Sequence, residues 1–157
     1  ILLITMLYII SEMRRMSGRS TALISYITSK AAGKSEYQEF VMAPILYALG
    51  IVTSLIIFSE PVGYVAITTL TLGDGAASIF GQKFGRRSIP FNKDKSFEGA
   101  ACGFLFAFCG SLLFIDPLRA LITSAIGMLA EGLPSPVNDN LTVPLLSGLT
   151  LTVLMMI

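Results

Sequence analysis

At 157 residues, 54% hydrophobic and only 13% charged, the chain departs from a soluble domain, in which about a quarter of residues carry charge. It reads as one integral membrane domain over residues 1–157. The net charge of +1 tells less than where the charges stand, no nucleic acid is expected among the partners, and the absence of His removes the usual general base and every His-dependent triad.

The first apolar run, residues 1–10, opens on Ile1 with no initiator Met, so the chain is expected to be N-terminally truncated. Residues 18–40 mix apolar positions (Leu23, Ile24, Tyr26, Ile27) with polar ones at near-helical spacing, which predicts an amphipathic helix lying in the membrane interface. Further apolar runs follow at 41–58, 62–80, 97–115, 117–130 and 141–157. A spanning helix needs about 20 residues, fewer where flanking polar groups reach the interface. The fold expected is therefore an all-α, polytopic transmembrane helical bundle of about five to six spans. Cys102 and Cys109 lie in one apolar run and read as buried small hydrophobes, since two Cys and no His make neither a zinc site nor a disulfide framework.

Alternating spans put residues 11–40, 81–96 and 131–140 on one side of the bilayer, and that side holds ten of the eleven basic residues. By the positive-inside rule it is the cytoplasm. The polar clusters that interrupt the apolar runs fall on the same side. Asp74 stands in the second half of an apolar run, where an ionised carboxylate is costly and usually faces a polar cavity or a bundle interior. Ser78 follows one turn later, and a carboxylate and a hydroxyl on neighbouring faces suit Mg²⁺ or a phosphate-bound water. Gly73, Ala77, Gly81 and Gly85 recur every four residues; at Gly81 and Gly85 this reads first as a stripe for close helix packing, and glycine-lined helices make a homo-oligomer conceivable.

The basic stretch with Arg86, Arg87, Lys93 and Lys95 suits lipid headgroups in the first instance. Lys95, however, runs directly into Ser96-Phe97-Glu98-Gly99, placing a cation, a hydroxyl and an acid at one helix start, where free N–H groups and the helix dipole favour phosphate. Ser96 as a plain cap and Glu98 as a first-turn acid is the alternative. Later, Asn138-Asp139-Asn140 opens the last run, with Pro144 expected in the first turn of that helix. One of the three suffices as a cap, which leaves Asp139 as a second metal acid.

These residues resemble the CTP-dependent polyprenol kinases, a family that includes dolichol kinase, phytol kinase and a CTP-dependent diacylglycerol kinase and shares a superfamily with phosphatidate cytidylyltransferase. The resemblance rests on Gly73-Asp74 with Ala77-Ser78, Gly81 and Gly85; on Lys95-Ser96 with Glu98-Gly99; and on Glu131 followed by Asp139-Asn140 and Val143-Pro144. Glu12-Met13-Arg14-Arg15 is similar to the family's acidic-basic turn after a helix. The resemblance implies transfer of a phosphoryl group from CTP to a membrane lipid alcohol, with Mg²⁺ or another divalent cation, at a site facing the cytoplasm. On that reading Asp74, Glu98 and Asp139 are the catalytic and metal-binding acids. Lys95, with Arg86 or Lys93, neutralises phosphates, and Gly73, Ser78, Ser96, Asn138 and Asn140 position the nucleotide. Lys93-Asp94 also mimics the start of the cytidylyltransferase signature, but no paired-Asp ending follows. Cytidylyl transfer to a lipid phosphate and a transporter-like membrane protein using Asp74 for an ion are the two other readings.

Overall fold

A computed structural model describes residues 1–18, 40–135 and 137–157. Most of the expected interfacial helix, residues 19–39, lies outside the described residues. The chain forms two compact units, residues 1–49 and 50–157, with the boundary inside one helix.

In the first unit, α1 runs Leu2–Met16. Glu12, Arg14 and Arg15 lie within this helix rather than in a turn after it. The reason is local: the Arg15 guanidinium bonds Glu12 from one turn away, at 2.6 and 2.9 Å, which favours continued helix. Glu12 is almost fully buried and also accepts the Val41 backbone N–H at 3.0 Å, while Tyr8 donates to the Val41 carbonyl at 2.9 Å. α2, Ala43–Ile57, then leads into the second unit.

There, α3 (Val62–Thr68), a π-helical turn (Thr69–Asp74) and α4 (Gly75–Phe84) join without a break in helical backbone. A two-stranded antiparallel hairpin, β1 (Ser88–Ile89) and β2 (Asn92–Ser96), leads into α5 (Phe97–Ser111), and α6 (Pro117–Gly132) and α7 (Asp139–Met156) complete the unit. The helix starts follow their sequences. Ser96 accepts the Gly99 N–H at 3.1 Å, Asp116 accepts that of Arg119 at 3.1 Å ahead of Pro117, and Asn138 accepts that of Asn140 at 3.0 Å. Pro144 therefore falls in the second turn of α7, not the first. It has no N–H to offer the Asn140 carbonyl. Gly50 packs against that oxygen so closely that a Cβ there would stand 2.1 Å from it.

The described residues are mostly helical, as expected, and the hairpin is the departure from an all-α reading. By length and composition one described helix, α7, suffices to cross a bilayer; α2 and α5 are apolar but shorter. The five or six expected spans are thus not matched helix by helix: the turn at Leu112–Asp116 cuts the 97–115 run short, and the 62–80 run is divided among α3, the π turn and α4.

Packing in the second unit adds buried hydroxyls to two small apolar clusters, Val62, Val65 and Leu151, and Ala77, Ala107 and Met128. Ser54, Thr69, Ser111, Thr123, Ser124 and Ser147 are fully buried, whereas Ile56, Ile79, Leu105, Leu113, Leu118, Leu129 and Val153 are more than half exposed. Glycines let the helices close. A Cβ at Gly99 would meet the Ala77 carbonyl at 2.7 Å, and one at Gly103 would meet the Gly73 carbonyl at 2.7 Å and Met128 at 2.4 Å. Gly81 and Gly85 press on Ser96, so the four-residue stripe is used within the chain, between α4 and α5. Of the two cysteines, both free, Cys109 is exposed and Cys102 only partly buried, because their side of α5 looks outward.

Candidate active site

Four side chains from four elements meet at one end of the second unit. Asp74 closes the π turn, Lys95 stands on β2 one residue before the cap of α5, Glu131 lies in the last turn of α6, and Asp139 is the first residue of α7. The hairpin sets the lysine in place. Ile89 is buried against Gly132, and the Asn92 amide donates to the Gly132 carbonyl at 3.3 Å, so β2 is fastened to the end of α6.

Lys95 Nζ lies 2.5 Å from Glu131, 2.8 Å from Asp139 and 3.9 Å from Asp74. Burial works against its ammonium, but the Asp139 and Glu131 carboxylates outweigh burial and hold its pKa above the ordinary lysine value. Glu131 is 2% exposed and sits at a helix C-terminus, where the dipole disfavours an acid. A carboxylate kept there against both burial and dipole is held by the ammonium.

One oxygen from each of Asp74, Glu131 and Asp139 lies within 4.8 Å of the others. Three carboxylates against one ammonium leave an excess of negative charge, and hard oxygen donors at this spacing suit Mg²⁺, which usually keeps several waters and shares substrate phosphates. The residues present therefore fit a divalent cation.

Beside the cluster is a cavity of about 280 Å³, walled by Gly81, Gly85 and Gly99 and carrying Ser78, Ser96, Arg86 and Lys93 along with Lys95 and Glu131. A second cavity, of about 460 Å³, shares Lys95 and Glu131 and adds Asn92, Asn138 and Asp139.

The structure thus brings Asp74, Lys95 and Asp139 together, with Ser78, Ser96, Arg86, Lys93 and Asn138 lining the cavities beside them. It does not bring Glu98 there. That side chain is half-buried and accepts the backbone N–H groups of Arg86 at 3.1 Å and Arg87 at 3.3 Å, so it fastens the chain entering the hairpin. The third acid of the cluster is Glu131. Gly73 is placed at a helix crossing, where a Cβ would meet Met128 at 2.8 Å and Ala107 at 3.2 Å. Asn140 is buried at the start of α7, with its carbonyl against Gly50. Ser96 and Asn138 serve as caps while also facing cavities. The signal for Glu131 was its place in the matching pattern and the cost of an acid at the end of an apolar helix.

Comparison with known proteins points the same way. The chain is 37% identical over 130 residues to a probable phytol kinase 3, chloroplastic, of Glycine max, a match covering 71% of this chain and 41% of that protein. It is 35% identical over 130 residues to a farnesol kinase, chloroplastic, of Arabidopsis thaliana, covering 71% and 42% respectively. A phytol kinase 1, chloroplastic, from the same plant is 28% identical over 149 residues, covering 83% and 49%. These relatives fit the polyprenol-type kinase family that the motifs resemble. The match spans less than half the length of each of these relatives. No family model matches the chain, and no solved structure matches it.

Proposed function

We propose that this chain forms the phosphotransfer site of a lipid kinase that phosphorylates the hydroxyl of a membrane isoprenoid alcohol, with CTP as donor. The observation that carries this reading is the Asp74–Lys95–Glu131–Asp139 cluster opening on a cavity with basic walls, in a chain related to proteins named phytol and farnesol kinase. Dolichol or another polyprenol is within the same class of acceptor.

Phosphoryl transfer asks a protein mainly for positioning and charge neutralisation. Arg86, Lys93 and Lys95 supply cations to the triphosphate in a cavity that the glycines keep open. Asp74 and Glu131 would hold Mg²⁺, which would neutralise charge on the phosphate oxygens and leave Asp139, within reach of both, free to accept a proton. Asp139 is the most exposed of the three acids and faces the second cavity, where it takes the proton of the acceptor hydroxyl. The alcohol oxygen forms a bond to the γ-phosphorus. The bond from that phosphorus to the β–γ bridging oxygen breaks, and CDP leaves with a lipid monophosphate as the other product.

The multi-pass membrane placement rests on the outward large apolar side chains and inward Ser, Thr and Gly of the second unit, and on the ten basic residues that alternating spans put on one side in the sequence. By the same charge bias the site faces the cytoplasm. The test is an assay of the full-length protein in lipid nanodiscs with CTP labelled at the α or γ position and a panel of farnesol, phytol, dolichol and diacylglycerol. A kinase moves the γ label onto an isoprenoid alcohol and releases CDP. Release of pyrophosphate with the α label on a lipid phosphate would replace this reading with cytidylyl transfer, and no nucleotide turnover would end both.

A further inference from the structure

Two cavities share Lys95 and Glu131, and their remaining walls differ in kind. The smaller adds the cations Arg86 and Lys93 and the hydroxyls of Ser78, Ser88 and Ser96. The larger adds Asp139, Asn92 and Asn138, together with Leu133, Pro134 and Val137. Its one lining cation, Lys95, is shared with the smaller cavity, so the larger has no cation of its own. A triphosphate needs several cations, which the smaller cavity offers. A neutral hydroxyl on a hydrocarbon tail needs an acceptor beside an apolar wall, and a carboxylate next to Leu133 and Val137, both about half exposed, is such a place.

We infer that the larger cavity is the acceptor site, receiving the head of a neutral isoprenoid alcohol with its hydroxyl toward Asp139 and its first isoprenoid unit against Leu133, Pro134 and Val137. This rests on the lipid-kinase reading and deepens it: donor and acceptor enter by separate cavities and meet at the Lys95–Glu131 bridge. The shared wall brings the two reacting groups against one charge cluster, as proximity catalysis requires. Leu129, exposed near the end of α6, continues an apolar surface along which the rest of the tail can lie. It also separates the two specificities, so that the wall at Leu133 and Val137 reads the alcohol while the basic cavity reads the nucleotide.

The experiment uses a photoreactive diazirine analogue of farnesol and a fluorescent CTP analogue on the full-length protein in nanodiscs. Label should map to Leu133, Pro134 or Val137 and be displaced by unlabelled farnesol. Val137→Trp should cut labelling and raise KM for the alcohol by about tenfold, the scale on which a changed apolar pocket discriminates. Nucleotide affinity should stay within about twofold, as for most surface changes. Leu133→Trp is the second variant, since both positions are exposed and neither holds the core. Label on another segment, or equal loss of nucleotide binding in both variants, overturns the acceptor assignment alone while γ-phosphoryl transfer persists. Nucleotide binding with neither labelling nor phosphorylation of any alcohol overturns the kinase reading and this assignment with it.

Discussion

Glu131 and Glu98 are the same side chain in opposite circumstances. Glu131 is buried in the last turn of α6, where the helix dipole opposes it, and its carboxylate meets an ammonium carried in on the hairpin, 36 residues away in sequence. Glu98 stands in the first turn of α5, half-buried, and its carboxylate takes two backbone N–H groups from the adjacent turn. The first is placed where an acid costs stability and is kept by a distant partner. The second is placed where any helix favours an acid. Convergence against local preference marks a chemical site better than acidity beside a motif.

The widest gap between the two should appear in turnover. Glu131→Gln keeps side-chain volume but removes one carboxylate of the three that fit a divalent cation, and Asp74→Asn does the same from the π turn. Each should lower kcat by about a hundredfold or more, the scale of losing one preorganised electrostatic partner, with the protein still inserted and folded. A kinase assay on both variants checks this. Near-normal activity in Glu131→Gln would erase the distinction from Glu98.

Next in size is Lys95→Met. It leaves Glu131 buried and faced by two other acids, and breaking a buried pair costs about 3–5 kcal/mol. The thermal midpoint in detergent should fall accordingly. Added Mg²⁺ or Mn²⁺ should then raise the midpoint of the variant more than that of the wild type, because a cation can take up the charge that the ammonium balanced. Equal metal response in both proteins would mean that the acids do not act as one cation site.

Most helix positions were legible in the sequence because apolar runs and caps are local signals: 97–115 became α5 behind the Ser96 cap, and 141–157 became α7 behind Asn138. Asp74, Lys95 and Asp139 were legible as costly charges at the ends of apolar segments. The hairpin was not, since β1 and β2 hold only seven residues and depend on docking Ile89 and Asn92 against the end of α6. Nor was the π turn, which a periodicity of 3.6 residues conceals although it sets the direction of Asp74. Glu131 matched the family pattern, yet its role depends on which acid the hairpin lysine reaches, and that is a tertiary fact. Glu98 misled because proximity to Lys95 in sequence put it beside the site while helix geometry turned it toward residues 86 and 87.

A smaller effect sharpens the comparison through the backbone that carries both features. Gly99 lets α5 approach α4, and a Cβ there would stand 2.7 Å from the Ala77 carbonyl and 2.9 Å from Gly81 Cα. Gly99→Ala should cost about 1–3 kcal/mol by overpacking and loosen the glycine-walled cavity, seen as a lower thermal midpoint with a raised KM for nucleotide. Gly75→Ala is the control, because nothing lies within 4 Å of its added methyl group and Ala is the better helix former. If both substitutions behave alike, helix approach does not shape the cavity.

The smallest effect belongs to Glu98→Gln. The amide keeps an oxygen able to accept from the Arg86 and Arg87 N–H groups, so the turn into the hairpin should persist. Because Glu98 bonds the Arg86 and Arg87 N–H groups and stands outside the acid cluster, kcat should change by no more than about threefold. Comparing kcat for Glu98→Gln and Glu131→Gln in one preparation is decisive: a charge needed only for local bonding tolerates the amide, and a charge needed to hold a cation does not. A hundredfold loss in Glu98→Gln would place that carboxylate in contact with substrate or metal during turnover, and the hairpin would then have to close over the cluster when nucleotide binds.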